Sequence, residues 1–280
     1  MVQEDGQLAV DASQLGLVTD AGDFSHGLTF LSQTEPTAVV DEYDLYGAKV
    51  SHVKATGMEM TLSFAHEDGA QLDVIVRVYD DGMAFRYVVK GEDGQPLAIS
   101  AESTTMTLPA GSTAYAMDYI AHNEEIEREH AARELDGRYC MPLLYKTTDG
   151  TWCLISEAAL SPDYCGTYLQ GDGTGSLNFH HSVEQNGDVE TQMPFTSPWR
   201  FVVIGTPEEI NLNTMAETLS PDAEGDFSWV EPGVTAWTWL NRESTSSGEV
   251  YMKYVDFAAE MGWEYLLLDE GWQPRSQTPG

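Results

Sequence analysis

The amino-acid sequence predicts a mainly β chain: a sandwich or barrel of short strands, followed by one strand–helix–strand unit. Two observations predict this class. Apolar residues recur mostly at every second position from about residue 8 to residue 205. After residue 233 their spacing changes and indicates two apolar strands with a helix between them. Serial short strands are typical of an antiparallel sandwich or barrel, whereas the order strand, helix, strand is typical of a parallel sheet or barrel.

The clearest strands lie early in the chain. Apolar and polar residues alternate over residues 58–64 and again over 72–78, as in half-buried strands. The segment 79–83 carries Asp-Asp-Gly turn chemistry, and a further apolar segment follows at 84–89, so the sequence predicts a hairpin. Additional short strands are predicted at 104–108, 151–156, 175–180 and 200–204.

One segment fits neither rhythm. Residues 123–138 are dense in Glu, and Ile126, His130 and Leu135 are spaced so that they could mark one face of a helix. The apolar stripe is thin, however, so we expect a charged segment that departs from the strand pattern, here called the Glu-rich excursion.

The strand–helix–strand unit follows residue 233. Residues 234–239 are β-branched and aromatic, 241–248 form a polar loop, and apolar residues recur at helical spacing from about 248 to 261. Gly262 is a natural helix terminator, and the apolar run that follows it is typical of a strand buried on both faces. The domains expected are 1–231 and 232–280. A parallel barrel needs several more such units to close, so we expect this polypeptide to be part of a longer one.

Composition excludes several classes of function. With 13 Lys+Arg against 46 Asp+Glu the net charge is −33, which excludes binding to nucleic acid or an anionic membrane through bulk charge. No apolar run reaches the ~18 residues of a membrane span. The first residues lack the basic and apolar segments of a secretory signal. Cys140, Cys153 and Cys165 fit neither a metal knuckle nor a disulfide framework, so free thiols are expected.

Candidate binding residues follow the two C-terminal strands. In a (β/α)₈ barrel, functional groups lie at the carboxyl ends of strands, and here those ends carry Trp237, Trp239, Asp269, Glu270 and Trp272. A sugar presents apolar C–H faces and hydroxyl edges, which indoles and carboxylates can bind. The alternatives are barrel-interior packing for the tryptophans and an ordinary solvated loop for the acids.

Several blocks of the chain resemble one enzyme family. Residues 237–239 and 254–265, with Leu268-Asp269-Glu270-Gly271-Trp272, closely resemble the start of the catalytic barrel of glycoside hydrolase family 97. Blocks similar to its N-terminal domain occur in the same order at 13–17, 77–87, 155–160, 197–200 and 228–233.

The resemblance implies an N-terminal β-super-sandwich, similar to that of galactose mutarotase, followed by a (β/α)₈ TIM barrel that is truncated here. It implies an exo-acting α-glucosidase or α-galactosidase, retaining or inverting, that is periplasmic or secreted and cleaves oligosaccharides with an α-linked terminal sugar. Family catalytic carboxylates would lie beyond Gly280, so no catalytic residue is assigned and the chain alone is expected to be inactive. A calcium ion helps to bind substrate in the family, and by motif Glu157 would be its ligand from the sandwich.

Other interpretations stay open at this stage. Glu157 could instead be a surface residue at a strand end, and Arg86 and Arg200 are expected to form structural pairs inside the sandwich or at a domain interface. The sandwich could be a non-catalytic carbohydrate-binding module. A mutarotase would need a convergent His and Glu pair, for which His122, His130, His180 and His181 are available.

Overall fold

The computed structural model describes residues 1–4, 6–120, 122–182, 187–243 and 247–269. The chain divides into two compact units, Met1–Asp222 and Ala223–Gly280. The first is here called the sandwich unit and the second the C-terminal unit, and each is described by itself. No helix in the described residues is long and apolar enough to cross a membrane.

The sandwich unit is built almost wholly from strands. They are β1 Val2–Glu4, β2 Gln7–Val10, β3 Leu17–Thr19, β4 Gly22–Asp23, β5 Thr29–Gln33, β6 Thr37–Asp44, β7 His52–Ala65, β8 Gln71–Tyr79, β9 Gly82–Val89, β10 Pro96–Glu102, β11 Thr105–Thr107, β12 Thr113–Ala116, β13 Arg128–Ala131, β14 Arg138–Tyr139, β15 Leu143–Lys146, β16 Trp152–Ala158, β17 Thr167–Gly171, β18 Ser176–His181, β19 Val189–Gln192, β20 Phe195–Thr196 and β21 Trp199–Gly205. A 3₁₀ turn occupies Ala132–Glu134, and the helices α1 Pro207–Leu212 and α2 Met215–Leu219 close the unit.

These strands form one large sheet and three smaller ones. The large sheet has 11 strands, in the order β13-β12-β15-β16-β21-β9-β8-β7-β5, with β6 also on β7 and β20 also on β9. Two four-stranded sheets have the orders β19-β10-β3-β4 and β11-β18-β17-β14, and β1 pairs with β2. The main core combines Val74 and Tyr87 of the large sheet with Leu97 and Phe179 of the two four-stranded sheets. The mainly β class is thus confirmed, with strands at all four of the additional predicted positions.

The predicted hairpin is also confirmed. Strands β7, β8 and β9 pair in sequence and antiparallel. Leu72 and Val74 are buried in the main core, whereas Met58 and Val78 of the same alternation are 45% and 52% exposed. Gly82 is required where β9 meets β21, because a Cβ there would lie 2.1 Å from the carbonyl oxygen of Val202. The three cysteines are free, with Cys140 and Cys153 buried.

The Glu-rich excursion adds two strands and contains no α-helix in its described residues. Of the three residues whose spacing could have marked a helix face, His130 lies in β13, which pairs with β12 at the edge of the large sheet. Leu135 is fully buried next to the 3₁₀ turn, whereas Ile126 is 76% exposed. The three residues therefore do not form one face, and the segment interrupts the strand pattern with short strands and a 3₁₀ turn.

The C-terminal unit contains β22 Thr235–Trp237, a 3₁₀ turn at Trp239–Asn241, α3 Gly248–Met261 and β23 Tyr265–Leu267. Strands β22 and β23 are parallel. The side chain of Ser247 caps the start of α3, and Gly262 ends the helix in the left-handed region at φ 71°. The strand–helix–strand unit has the predicted order; that it begins a (β/α)₈ barrel stays a prediction.

Candidate functional site

Trp237 and Asp269 meet at the carboxyl edge of the parallel strands in the C-terminal unit. Trp237 ends β22 opposite Leu267 of β23, and Asp269 follows β23 by two residues. The indole Nε1 of Trp237 donates a hydrogen bond to Oδ2 of Asp269 at 3.0 Å. Both side chains are half-buried. The bond orients the carboxylate at this edge of the strands.

Of the other three candidates, only Trp239 lies among the described residues. Trp239 lies in the 3₁₀ turn and is 57% exposed. Glu270 and Trp272 lie outside the described residues. Of the three predicted residues that the structure describes, it brings together the indole of Trp237 and the carboxylate of Asp269.

A buried ionic network in the sandwich unit centres on Arg200. Its Nε and Nη2 donate to Oε1 and Oε2 of Glu102 at 3.0 and 2.6 Å, and its Nη1 donates to Oε2 of Glu157 at 2.6 Å. Side-chain exposure is 1% for Arg200, 0% for Glu102 and 10% for Glu157. Burial alone would lower the pKa of Arg200, but attraction to Glu102 and hydrogen bonding to it outweigh burial and raise that pKa.

Strand geometry explains how these charges meet inside the core. Arg200 on β21 lies directly opposite Glu157 on β16, on the face that also carries Val202 and Ile155 into the main core. Glu102 reaches Arg200 from β10, a strand of one of the four-stranded sheets. The fork-like pair between Arg200 and Glu102 therefore links the two sheets across the core. It confirms the expected structural pairing of Arg200.

Sequence reasoning missed Glu102 because a register irregularity turns it inward. Leu97 and Ile99 face the core in regular alternation, which would place residue 101 inside and residue 102 outside. The pairing of β10 with β3 shifts register between Ile99 and Ala101, and Glu102 is buried as a result. No sequence pattern around Glu102 signals this bulge.

Two further side chains complete the network. Tyr164 Oη lies 3.2 Å from Oε2 of Glu102 and 3.0 Å from Nε2 of His181. Because the carboxylate can only accept, Tyr164 donates to Glu102, and Nε2 of His181 carries the hydrogen that Tyr164 accepts. Burial lowers the pKa of His181, which favours the neutral ring. Burial followed by the charge of Glu102 raises the pKa of Tyr164.

A His and a Glu therefore do converge, as the mutarotase alternative requires. However, Arg200 binds both oxygens of Glu102. A carboxylate held in this way, with no exposed surface, is poorly placed to remove a proton from a sugar hydroxyl. The geometry favours a structural role for His181 and Glu102.

The contacts of Glu157 bear on the expected calcium ion. Besides Arg200, the backbone N–H of Thr167 donates to Oε1 at 3.0 Å and Oγ1 of Thr167 donates to Oε2 at 2.7 Å. Three of about four acceptor positions of the carboxylate are therefore in use. Calcium takes about six to eight oxygen ligands, and the described residues contain no group of three or more acidic, His or Cys side chains that could hold a metal ion. They do not by themselves form a calcium site, and Glu157 is a buried partner of Arg200 and not the exposed strand end of the alternative interpretation.

Comparison with known proteins identifies the family. Residues 1–221 match the family model described as Glycosyl-hydrolase 97 N-terminal. The chain belongs to glycoside hydrolase family 97. It is 32% identical over 275 residues to a probable retaining α-galactosidase of Streptomyces bingchenggensis, covering 97% of this chain and 42% of that protein. It is 28% identical over 250 residues to a retaining α-galactosidase of Bacteroides thetaiotaomicron, covering 74% of this chain and 37% of that protein. The chain thus spans about two fifths of the length of these curated relatives.

Solved structures agree on the fold. A β-arabinopyranosidase superposes with a TM-score of 0.80 at 24% identity, over 97% of this chain and 47% of that one. A glycoside hydrolase family 97 enzyme from Pseudoalteromonas sp. strain K8, solved with panose and with acarbose, superposes with a TM-score of 0.78 at 23% identity, over 96% of this chain and 44% of that one. These structures share the fold, and the match to the family model confirms the family resemblance.

Proposed function

We propose that this family 97 chain is part of an exo-acting, retaining α-galactosidase that cleaves oligosaccharides with an α-linked terminal galactose. The similarity to two proteins named retaining α-galactosidases supports galactose over glucose and retention over inversion. The Pseudoalteromonas enzyme with bound panose and acarbose supports an oligosaccharide as the substrate class.

We place one sugar-binding contact at Asp269. The observation that carries this assignment is the hydrogen bond from Trp237, which orients the carboxylate at the carboxyl edge of two parallel strands. A carboxylate there can accept hydrogen bonds from two sugar hydroxyls, while an indole offers an apolar surface to C–H groups. Such edges hold the binding groups of parallel α/β proteins. Trp239 and the undescribed Glu270 and Trp272 remain candidates for the same subsite.

The catalytic carboxylates belong, in this proposal, to other parts of the full-length protein. A retaining glycosidase uses a nucleophile and an acid/base about 5–5.5 Å apart. Glu102 and Glu157 are bound to Arg200 inside the sandwich unit, and Asp269 is bound to Trp237. We therefore expect no hydrolysis by the 280-residue chain alone. We also propose that the full-length protein binds calcium and is exported from the cytoplasm. Glu157 would contribute one calcium ligand, and residues elsewhere in the full-length protein would contribute the other ligands.

The test uses the full-length product of the gene that encodes this chain. We expect it to hydrolyse p-nitrophenyl α-D-galactopyranoside faster than the α-glucoside, with the α-anomer of galactose as the first product by NMR. Dialysis against a calcium chelator should lower the activity, and added calcium should restore it. Preference for the glucoside would support an α-glucosidase instead, and a β-anomer would contradict retention. Sugar binding without any hydrolysis would favour the carbohydrate-binding module.

The site assignment is tested by substitution. Asp269→Asn should lower kcat/KM by about 10- to 100-fold, the range expected for lost hydrogen bonds to a charged group. Trp237→Phe removes the indole donor and should have a smaller effect of the same kind. Asp256→Asn, at an exposed position on α3 in the same unit, is the matched control and should leave kcat/KM unchanged. Equal effects of the two Asn variants would contradict the assignment.

A further inference from the structure

A polar pocket lies within the sandwich unit, and its lining contains none of the residues of the Arg200 network. It has a volume of about 390 Å³ and is lined by Arg77, Arg86 and Trp199, with Asp41 also at its wall. Hydroxyl-bearing residues complete the lining, among them Ser161 and Thr196. Trp199 belongs to the smaller core, which includes Met215 and Leu219 of α2 and is separate from the main core between the sheets. The pocket therefore opens on the side of the large sheet that faces the helices.

Two guanidinium groups lie close to the aromatic ring of Trp199. The Cζ atoms of Arg77 and Arg86 lie 5.0 and 4.3 Å from the ring centroid. Stacking of this kind holds the planar groups in a fixed orientation. Like charges so close repel each other, which makes compensation by an acid important for each of them.

Only one of the two arginines pairs directly with an acid among the described residues, although the charge of Glu59 also acts on Arg86. Arg77 donates from Nε to Oε2 of Glu59 at 2.7 Å, and its Nη1 lies 3.9 Å from Oδ2 of Asp41. Arg86 makes no ion pair or hydrogen bond in this part of the chain, and its Nε is buried without a partner. The expected structural pairing of Arg86 is therefore not found in the described residues. Burial, and next the charge of Arg77, lower the pKa of Arg86, although an arginine stays protonated.

Arg86 is half-buried, and its buried Nε has no acceptor, which is costly unless something outside the fold supplies one. The planar fork of N–H donors matches the two oxygens of a carboxylate or phosphate. A ligand with one negative charge fits this pocket better than a ligand with two. Asp41 also lines the pocket, and the chain as a whole carries a charge of −33, so both would repel additional negative charge. The volume is in the range of small-molecule sites, about 300–1,000 Å³.

We propose that this pocket binds a small monocarboxylate, up to the size of a sugar acid, with the carboxylate on the free N–H groups of Arg86. Ser161 and Thr196 offer hydroxyl groups to polar substituents of the ligand. Arg77 contributes charge and fixes Trp199, while its own hydrogen bonds go to Glu59. This site is independent of the proposed glycosidase activity and involves none of the residues assigned to it.

The test measures binding of acetate and D-glucuronate to the 280-residue chain at constant ionic strength set with sodium chloride. Saturation-transfer NMR should detect glucuronate but not neutral methyl α-D-glucopyranoside, and both carboxylates should raise the Tm relative to chloride. Arg86→Met should weaken glucuronate binding by about tenfold or more, as for a lost charge-assisted hydrogen bond. Arg128→Met removes an exposed arginine paired with Asp118 and should leave binding unchanged.

A second variant covers the case in which Arg86→Met does not fold. Arg86→Lys keeps the charge but loses the planar fork, so it should also bind glucuronate several-fold more weakly than the unchanged chain. Wild-type affinity in either folded Arg86 variant would overturn the proposal. Equal Tm shifts with chloride and acetate would also overturn it. Tighter binding of inorganic phosphate than of acetate would contradict the preference for one charge.

Discussion

The sandwich unit and the C-terminal unit differ in how deeply their charged groups are buried and in how they are hydrogen-bonded. In the sandwich unit, Arg200 is 1% exposed and all three of its nitrogens donate to carboxylates. In the C-terminal unit, Asp269 is half-buried and accepts a hydrogen bond from the single indole nitrogen of Trp237. The first arrangement pairs its charged groups inside the core, and the second holds a carboxylate at a half-buried strand edge.

Apolar burial differs in the same direction. The core of the sandwich unit includes fully buried residues from all its larger sheets, such as Tyr87 and Leu177. In the C-terminal unit, Leu267 and Leu268 are each 44% exposed next to Asp269, and Ala236 and Ala258 are its buried apolar residues among those described. The stability of the sandwich unit should therefore depend on its own internal contacts. The exposed leucines of the C-terminal unit are suited to contacts with groups outside that unit.

The largest effect expected from this difference is at Arg200. Arg200→Met leaves the fully buried Glu102 without its ionic partner, and we expect the free energy of unfolding to fall by about 3–5 kcal/mol. Urea denaturation of the sandwich unit, followed by near-UV circular dichroism, measures it. Arg128→Met, at a side chain 67% exposed, should change stability by less than about 1 kcal/mol. Similar losses in both variants would mean that the buried network has no special role.

A smaller loss is expected from Tyr164→Phe. The substitution keeps the ring but removes the hydroxyl that joins Glu102 to His181, so one buried donor and one acceptor lose a partner. We expect a loss of about 1–3 kcal/mol in the same denaturation experiment. Tyr46→Phe is the control, because Tyr46 is 82% exposed. If Tyr164→Phe were as stable as the control, the hydroxyl would not be part of a cooperative network.

In the C-terminal unit, the corresponding weak point is the backbone at the end of α3. Gly262→Ala places a Cβ on a residue at φ 71°, and we expect helix protection to fall by about 1 kcal/mol. Hydrogen exchange of α3, read by mass spectrometry, reports on this unit separately. Gly248→Ala at the first turn has open space around it and should be neutral or slightly stabilising. A matching loss in Gly248→Ala would show that α3 is sensitive to any substitution.

The smallest expected effect is a pH dependence carried by His181. Burial lowers the pKa of His181 from 6.5 in the folded chain, so the unfolded chain binds more protons in this range. Stability should consequently fall as the pH decreases from about 7.5 through 6.5 towards the folded pKa. His181→Gln, which keeps an N–H donor for Tyr164, should flatten that slope, and the exposed His52→Gln should not. An unchanged slope in His181→Gln would assign the dependence to other groups.

Much of the organisation was predictable from local pattern. The hairpin of β7, β8 and β9 follows from strict alternation with an Asp-Asp-Gly turn, and α3 follows from helical spacing that ends at Gly262. The pairing of Trp237 with Asp269 follows from the rule that parallel strands bring their carboxyl ends to one edge. The strands within residues 123–138 were not predictable in this way, because the segment has too few apolar residues to show an alternating pattern.

The sequence by itself determined the mainly β class, the change to a strand–helix–strand unit and the family resemblance, because each depends on spacing or on blocks that are contiguous in the chain. Only the tertiary structure decided the partners of the charged residues. Glu102 faces inward because of a bulge in β10, and Arg200 meets it across two sheets although they lie 98 residues apart. Arg86, which sequence reasoning expected to be paired, has no acid partner in the described chain because Arg77 takes the adjacent Glu59. Such pairings depend on strand register and on which sheets pack against each other, and local sequence pattern determines neither.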